Sequence, residues 1–252
     1  QSLRTELEAL GHVFRTRSDT EVIVQAWMAW GPACVHRLRG MFAFAIWDQK
    51  QQTLFMARDR MGVKPLHYAL LPDGTLVFGS ELKVITAHPG FERQIDPQAV
   101  EDYFALGYVP DPRCIYRQAH KLPPAHTLTW RRGQAGLPTP QPYWDVHFTL
   151  DNPISLADAE AELRERVRES VRLRMIADVP LGAFLSGGVD SSAVVATMAG
   201  LSTSPVHTCA IGFDDPRFDE SAYAQMVADR YQTDHRLEVV QSDDFDLIDT
   251  LA

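Results

Sequence analysis

The stretch Phe184-Leu-Ser-Gly-Gly-Val-Asp-Ser-Ser192 determines how the second half of this 252-residue chain is interpreted. A short buried strand is predicted just before it, over Leu181–Leu185, and a helix is predicted to follow over Ser192–Ala199. In a parallel α/β sheet, ligands bind outside the carboxyl ends of the strands, and the stretch lies at such a point. The sequence therefore predicts a ligand site between strand and helix.

The composition of this stretch indicates which ligand it takes. Gly187 and Gly188 let the backbone approach an anion closely, and the first N–H groups of the following helix have no intrahelical partner. Three side chains add hydroxyl groups: Ser186, Ser191 and Ser192. The carboxylate of Asp190 would repel a phosphate unless a divalent cation bridges the two. We therefore expect polyphosphate and Mg²⁺, in preference to the alternative of a glycine turn that only joins strand to helix.

Strands and helices alternate around the stretch. Strands are predicted over Val206–Ile211 and Arg236–Val240, and a helix over Glu220–Tyr231. A further helix, Ser155–Met175, is predicted to be capped near Ser155 and ended by Pro180. Its apolar residues recur every four positions and predict one packed stripe: Ala159, Leu163, Val167, Val171 and Met175. The β-α-β-α-β order predicts a parallel sheet.

The first half of the chain shows a different pattern, in which strands dominate. Strands are predicted in pairs, at Met41–Trp47 with Thr53–Ala57 and at Leu66–Leu71 with Thr75–Gly79. Helices are predicted over Thr20–Trp30 and Pro97–Leu106, the second capped by Asp96. Two glycines and three prolines between residues 133 and 142 indicate a loop between the halves.

Composition excludes several classes of protein. Lys and Arg number 24 against 33 Asp and Glu, a net charge of −9, which argues against general binding to nucleic acid. The three cysteines are widely spaced and form no metal or disulfide pattern, as is usual in a reducing compartment. No apolar run is long enough for a membrane helix, and no secretory leader is evident. We expect a soluble, cytoplasmic protein without membrane or nucleic-acid partners.

Several motifs together resemble the glutamine-hydrolysing asparagine synthetase family. Ser186–Ser191 resembles the pyrophosphate loop of the ATP pyrophosphatases, and the longer stretch Asp178–Ser192 resembles that loop in this family. Three earlier stretches resemble the family's glutaminase domain: Leu38–Asp48, Ala57–Tyr68 and Gly79–Lys83. Lys121–Leu128 and Pro142–Asp145 resemble the link into the synthetase domain. The likeness covers nearly the whole chain.

The resemblance implies a fold and a division into domains. Residues 1–135 would be a partial class II glutaminase domain with an N-terminal-nucleophile-type layer fold, of class α+β. Residues 136–154 would be a linker. Residues 155–252 would be a partial ATP-pyrophosphatase domain, a doubly wound parallel α/β fold.

The same resemblance implies an activity. The parent protein would use ATP and Mg²⁺ to adenylate aspartate, and would transfer ammonia from glutamine to give asparagine, AMP and pyrophosphate. The alternatives are a related amidotransferase or cyclising synthetase acting on another carboxylate, and a catalytically incomplete ATP-binding fragment. The expected partners are aspartate, glutamine and ATP, and the resemblance allows a homodimer.

Site residues are carried over position by position. Asp19 in Ser18–Glu21 would hold the amino group of glutamine; the alternative is that it caps the helix from Thr20. Leu185 and Ile211 would contact adenine; the alternative is core packing. Asp190 would bind Mg²⁺. The pyrophosphate would contact the remaining residues of the loop: Ser186, Gly187, Gly188, Ser191 and Ser192.

Parts of the family pattern are missing from this sequence. The N-terminal cysteine nucleophile of the glutaminase is absent, as is the second Ser-Gly-x-Gly-x-Asp-Glu motif of the synthetase. We therefore assign no catalytic residue in this chain and expect a piece of a longer protein. Cys34 is internal and has no α-amino group to act as its base, so it is not the missing nucleophile.

A second set of charged and polar residues is open to two interpretations. The resemblance places them near the face between the domains, along the route of ammonia, whereas an ion-pair network is the slightly favoured alternative. These residues are Arg58, Asp59, Lys64, Ser80, Glu81 and Lys83. Asp219 and Glu220 open a predicted helix, where carboxylates suit the dipole, and the resemblance implies that Asp219 lies near the ATP site. His207 and His235 are expected to pack or to face solvent.

Overall fold

The computed structural model describes residues 2–150 and 153–240 and divides the chain into two compact units. Unit 1 spans Gln1–Phe148 and unit 2 spans Thr149–Ala252. Both units combine helices with sheets, so the chain is mixed α/β.

Unit 1 contains four α-helices and seven strands among the described residues. The helices are α1 (Ser2–Ala9), α2 (Asp19–Trp30), α3 (Leu82–Thr86) and α4 (Pro97–Leu106). The strands are β1 (Ala43–Asp48), β2 (Thr53–Arg58), β3 (His67–Leu70), β4 (Leu76–Gly79), β5 (Ala119–Lys121), β6 (His126–Arg131) and β7 (Gln141–Pro142). One antiparallel sheet has the order β1-β2-β6-β7 and the other the order β4-β3-β5.

Strand β2 is buried on both faces and lies at the centre of unit 1. Phe55 packs on one side in a cluster that includes Ala26 of α2. Met56 points to the opposite side, because side chains alternate along a strand, and packs with Tyr68 of β3. Thus β2 packs helix α2 on one face and the second sheet on the other.

The predicted elements of unit 1 are confirmed, with small shifts at their ends. The two predicted strand pairs form the antiparallel pairs β1–β2 and β3–β4. Helix α4 occupies the predicted range, and the Asp96 side chain accepts a hydrogen bond from the Gln98 backbone N–H at 3.1 Å. These starts and turns are specified by neighbouring residues, which is why the sequence locates them well.

Unit 2 has the predicted parallel sheet. Its elements are α5 (Leu156–Arg174), β8 (Gly182–Phe184), α6 (Val189–Leu201), β9 (His207–Phe213), α7 (Ser221–Tyr231) and β10 (Asp234–Val240). Both strand pairs are parallel and the order is β10-β9-β8. The β-α-β-α-β prediction is confirmed.

Three details of unit 2 differ from the predictions. Helix α6 begins at Val189, not at Ser192, because the Gly188 carbonyl already accepts a hydrogen bond from the Ser192 backbone N–H at 3.0 Å. Helix α5 ends at Arg174, well before Pro180, so the proline does not end it. Strand β8 is not buried as predicted: Phe184 is 79% exposed, since β8 is the edge strand of the described sheet.

The predicted stripe on α5 packs over only part of its length. Val171 is buried, and Val167 and Met175 pack against the same cluster with Met198 of α6. Leu163, earlier on the helix, is 62% exposed. The stripe prediction is therefore confirmed at the C-terminal end of α5 and wrong at Leu163.

Candidate functional site

The candidate site in unit 2 begins where β8 ends. The backbone N–H of Leu185 donates to the carbonyl of Cys209 at 2.8 Å, which extends the pairing with β9 by one residue. The Leu185 side chain is 1% exposed. The chain leaves the sheet immediately afterwards, so the loop from Ser186 starts from a fixed point.

Gly187 is required by its backbone conformation and by its neighbours. Its φ is +81°, a region that favours glycine. A Cβ at this position would lie 2.4 Å from the Cβ of Tyr223 and 2.7 Å from the backbone N of Ala224. The first turn of α7 therefore packs directly against the loop, which only a residue without a side chain allows.

Serine hydroxyls stabilise the loop from within. The Ser191 Oγ donates to the Gly188 carbonyl at 3.2 Å and lies 3.1 Å from the Ser186 Oγ. The Ser186 Oγ accepts from the Gly188 backbone N–H at 3.3 Å. The Ser192 Oγ is buried and has no hydrogen-bond partner within residues 2–150 and 153–240. The serine hydroxyls are thus used within the loop or buried, and the first N–H groups of α6, which have no intrahelical partner, are the groups that an anion can reach.

Asp190 lies in the first turn of α6 and is exposed. Its carboxylate has no hydrogen-bond or ion-pair partner in the part of the chain that the structure describes. Magnesium is commonly bound through one or two carboxylates together with the phosphates of a substrate. A single free carboxylate beside hydroxyl groups fits that mode. No group of three or more His, Cys, Asp or Glu residues forms an all-protein metal site among the described residues.

A cleft of about 230 Å³ opens at the carboxyl ends of β8 and β9. It brings together three of the predicted residues, Leu185, Ser186 and Ile211, whereas the rest of the predicted loop does not line it. The lining is Phe184, Leu185, Ser186, Cys209, Ala210, Ile211, Phe213, Phe218, Glu220, Ser221 and Ala224. Ile211 is 52% exposed, so the core-packing alternative is wrong for Ile211; Leu185 is buried, as that alternative assumes.

The start of α7 is held by Asp219. Its carboxylate accepts hydrogen bonds from the Ser221 backbone N–H at 3.1 Å, from the Ser221 hydroxyl at 2.9 Å and from the Phe213 backbone N–H at 3.4 Å. The hydrogen bonds from Ser221 lower the pKa of Asp219. Asp219 therefore joins the end of β9 to α7, and its neighbours Phe218 and Glu220 line the cleft. The sequence indicated Glu220 only as a carboxylate at a helix start and did not indicate Phe218; their position after a parallel strand was the available signal for the cleft.

The two histidines near this sheet bond within unit 2. The Nδ1 of His207 lies 2.7 Å from Asp234 Oδ2 at the exposed start of the strands. The Nδ1 of His235 lies 2.8 Å from the Thr208 hydroxyl. Neither residue lines the cleft, which agrees with their predicted packing and solvent roles.

Asp19, the predicted glutamine-binding residue, lies in unit 1 at the first position of α2. It does not cap the helix, so the capping alternative is wrong: Ser18 is the N-cap, and its Oγ accepts from the Thr20 backbone N–H at 3.2 Å. The Asp19 carboxylate is exposed and has no partner among the residues described.

Glu21 fixes the chain that leads into Asp19. Its carboxylate accepts from the backbone N–H groups of Arg15 at 2.8 Å and Thr16 at 2.7 Å, and from the Thr16 hydroxyl at 2.6 Å. The Thr16 hydroxyl and the Arg15 N–H lower the pKa of Glu21. A glutamate three residues after an N-cap serine predicts a bond to the N-cap N–H, but the Ser18 N–H donates to the Thr16 hydroxyl, so this pattern does not reveal the role of Glu21.

Arg58 is the last residue of β2, and Asp59 begins the bend that follows; both side chains are buried. The Arg58 guanidinium pairs with Asp111 at 2.9 Å and donates to the Leu122 carbonyl at 2.7 Å. The Asp59 carboxylate accepts from four backbone N–H groups, those of Phe42, Met61, Val63 and Lys64. The ion-pair interpretation thus holds for Arg58, whereas Asp59 binds the backbone.

The remaining residues of that set are peripheral. Lys83 pairs with Glu81 at 2.6 Å, and both side chains are exposed. The carbonyl of Ser80 accepts from His67 Nδ1 at 3.0 Å, and Lys64 is exposed. An exposed ion pair of this kind contributes little to stability.

Cys34 is fully buried in the core of unit 1. Burial raises the pKa of its thiol to about 11, so the thiol stays protonated at neutral pH. A protonated thiol is a poor nucleophile, which agrees with the rejection of Cys34 as the nucleophile. In residues 2–150 and 153–240, no helix has the length and apolar character needed to cross a membrane.

Comparison with protein families matches both units. A family model described as a glutamine amidotransferase domain matches residues 1–144. A second, described as asparagine synthase, matches residues 162–252.

Individual relatives agree with these matches. Asparagine synthetase [glutamine-hydrolyzing] 3 of Bacillus subtilis is 38% identical over 230 residues, 88% of this chain and 37% of the relative. Putative asparagine synthetase [glutamine-hydrolyzing] 2 of Methanocaldococcus jannaschii is 37% identical over 247 residues, 93% of this chain and 45% of the relative. Amidase chyE of Penicillium rubens is 33% identical over 188 residues, 73% of this chain and 27% of the relative. The chain spans less than half the length of these relatives.

Proposed function

This chain belongs to the glutamine-hydrolysing asparagine synthetase family, and on that basis we propose that it forms part of an ATP-dependent amidotransferase. The protein would adenylate aspartate and transfer glutamine-derived ammonia to it, giving asparagine, AMP and pyrophosphate. One observation carries the proposal: Leu185, Ser186 and Ile211 line one cleft, and the glycine loop at the start of α6 follows directly from it.

The domain assignment is part of the proposal. Residues 1–135 would form a partial glutaminase domain of the N-terminal-nucleophile type, supported by the packing of α2, two antiparallel sheets and α3 through successive apolar clusters. Residues 155–252 would form part of a doubly wound ATP-pyrophosphatase domain, supported by the parallel sheet. Residues 136–154 would link them.

Each part of the cleft has a distinct task in ATP binding. The backbone at Leu185 and the apolar side chain of Ile211 would contact the adenine ring, which leaves water at little cost. The pyrophosphate would be bound by the N–H groups at the start of α6 and by the polar groups of Ser186, Gly187, Gly188, Ser191 and Ser192. These donors offset the charge that develops on the leaving pyrophosphate.

Asp190 would be the Mg²⁺ ligand of this site. The ion supplies charge neutralisation between a carboxylate and phosphate oxygens that would otherwise repel each other. Its free carboxylate at the first turn of α6 supports this role. In unit 1, Asp19 would bind the amino group of glutamine, supported by its exposed carboxylate and by the fixed approach of the chain through Glu21.

The expected partners are aspartate, glutamine and ATP, without nucleic acid or membrane. The net charge of −9 supports the exclusion of nucleic acid. The three free cysteines support a cytoplasmic location. A homodimer is proposed from the family alone.

A second candidate function has support in the comparisons. A relative named as an amidase, chyE, shares 33% identity with this chain, so an amidotransferase acting on another carboxylate is the alternative. A piece that binds ATP without catalysing a reaction is a further alternative. Product analysis of the protein with aspartate, glutamine and MgATP separates the first candidate from the other two, because only the first forms asparagine.

Substitution of Asp190 tests the nucleotide site. We expect Asp190→Ala to weaken MgATP binding by at least about tenfold, because one ligand of a bridging cation is lost. Isothermal titration calorimetry of the chain with MgATP measures the change. Asp229→Ala is the matched control, since Asp229 lies on α7 away from the cleft lining.

Two outcomes would contradict the assignment. Unchanged MgATP affinity in Asp190→Ala would refute the role of Asp190, and no MgATP binding by the unsubstituted chain would refute the site. In a protein with both activities, Asp190→Ala should abolish aspartate-dependent release of pyrophosphate while sparing glutamine hydrolysis.

The absence of a nucleophile cysteine gives a second test. The chain by itself should release no ammonia from glutamine, because Cys34 is buried and protonated. An ammonia assay with glutamine checks this. Turnover by the chain would overturn the assignment of the nucleophile to a residue outside it.

A further inference from the structure

Glu220 is the single charged side chain that lines the cleft in the described part of unit 2. It is exposed, and its carboxylate has neither a hydrogen-bond nor an ion-pair partner among the described residues. All other lining residues are apolar, apart from the serines Ser186 and Ser221 and the thiol Cys209. A free carboxylate in a mostly apolar cleft is available for a ligand.

The start of α7 does not need this carboxylate. Glu220 occupies the N-cap position but makes no side-chain hydrogen bond there. Asp219 satisfies the Ser221 backbone N–H instead and ties the segment to Phe213 at the end of β9. Glu220 is therefore held in place by its neighbour while its own side chain remains unused.

The chemistry of a bound nucleotide restricts what Glu220 can contact. The phosphates would repel it, and their donors lie in the loop and in α6. The backbone at Leu185 and the exposed side chain of Ile211 suit a flat base. The ribose links base and phosphates, and its adjacent hydroxyls are donors that one carboxylate can accept together in strong charge-assisted bonds.

We propose that Glu220 is a specificity-determining residue that accepts hydrogen bonds from the 2′- and 3′-hydroxyls of the nucleotide and so selects ribonucleotides. This inference rests on the proposed ATP site and adds a contact that site does not otherwise supply. Glu220 would act on binding, with no part in bond making or breaking.

The test measures the binding of three nucleotides to the chain by calorimetry, each with Mg²⁺: ATP, 2′-deoxy-ATP and 3′-deoxy-ATP. We expect the unsubstituted chain to bind ATP about tenfold more tightly than either deoxy form, as for loss of a hydrogen bond to a charged group. Glu220→Gln should reduce that preference to about twofold or less, because a neutral amide accepts more weakly. Glu165→Gln is the control, since Glu165 is exposed on α5 and does not line the cleft.

The outcomes separate the inference from the proposed function. Equal affinity for ATP and both deoxy forms, or an unchanged preference in Glu220→Gln, would overturn the role of Glu220 and leave the ATP site intact. Loss of Mg²⁺ dependence in Glu220→Gln with the sugar preference retained would also overturn it, because Glu220 would then be a metal ligand. Failure of ATP to bind at all would overturn both proposals.

Discussion

Two aspartates follow the ends of strands in this molecule, Asp59 in the bend after β2 and Asp190 in the first turn of α6 after β8, and they differ in what they bind. After β2 in unit 1, Asp59 is 1% exposed and accepts four backbone hydrogen bonds. After β8 in unit 2, Asp190 is exposed and makes none with the described residues. The first carboxylate holds the fold, and the second remains available to a ligand.

The difference shows how to separate structural from binding residues. Buried polar groups are nearly always satisfied within the protein, since an unsatisfied one costs free energy. An exposed carboxylate is satisfied by water, and beside a glycine loop and a helix start it can exchange that water for a ligand. Three groups without a partner among the described residues lie at or beside that loop or the cleft: Asp190, Glu220 and the Ser192 hydroxyl.

The largest effect is expected at Asp59. Asp59→Asn keeps the shape of the side chain but places an amide donor among backbone N–H groups, which should lower the free energy of unfolding of unit 1 by about 3 kcal/mol. All five tryptophans lie in unit 1, so urea unfolding followed by tryptophan fluorescence reports this unit.

The control for this prediction is Asp48→Asn. Asp48 accepts two backbone hydrogen bonds in the exposed turn after β1. Asp48→Asn should therefore lower the free energy of unfolding of unit 1 by less than about 1 kcal/mol. If Asp59→Asn proved as mild as Asp48→Asn, the contrast between Asp59 and Asp190 would break down.

A smaller effect is expected at Gly187. Gly187→Ala places a Cβ against the backbone of α7 and forces a residue with a side chain to φ +81°, which should lower the free energy of unfolding of unit 2 by about 2 kcal/mol. Far-UV circular dichroism should show earlier melting while the tryptophan transition stays unchanged.

Gly74 offers the matched control for Gly187. Its φ of +84° is nearly the same, but a Cβ there would meet no atom within 4 Å. Gly74→Ala should therefore lower the free energy of unfolding of unit 1 by about 1 kcal/mol, the cost of the backbone conformation alone. The change should appear in unfolding followed by tryptophan fluorescence. Equal effects at the two glycines would mean that the contact with α7 is unimportant.

The last prediction concerns pH and acts on unit 1. Burial raises the pKa of Cys34 and of Cys114 from 9.0 to about 11 in the folded state. Because the folded pKa is raised, the neutral thiols stabilise the fold fully below about pH 9, and this stabilisation is lost as the pH rises towards 11.

Urea unfolding by tryptophan fluorescence between pH 8 and pH 10.5 tests this, against the double substitution Cys34→Ala and Cys114→Ala. The substituted chain is less stable at neutral pH but should lose less stability as the pH rises. If the free energy of unfolding fell equally steeply with pH in both chains, groups other than these two thiols would control the loss of stability at alkaline pH.

Local signals explain why some elements were predicted well. Helix α4 was placed at both ends because Asp96 caps it, Pro97 suits its first turn and Gly107 adopts a left-handed conformation after its last residue. The start of α6 was misplaced because Gly188 is not an evident cap, and only the hydrogen bond from Ser192 defines it.

The candidate site was predictable in part. Gly187, Ser186 and Asp190 stand in one contiguous stretch, so their grouping needed no fold. The position of Ile211 beside Leu185 follows from the parallel pairing of β8 and β9, which the element order suggested. The role of Asp19 as a non-capping residue was not predictable, since Ser18 and Asp19 are both good caps and only the backbone conformation decides between them.

The sequence by itself determined the order of strands and helices, the glycine and serine content of the loop and the family, because these depend on residues close together in the chain. Only the tertiary structure decided which carboxylates are free. Asp59 is satisfied by partners up to 17 residues away, and Gly187 is required by the contact with Tyr223 of α7. Burial and partners distant in sequence set these properties, and neither is encoded in a local pattern.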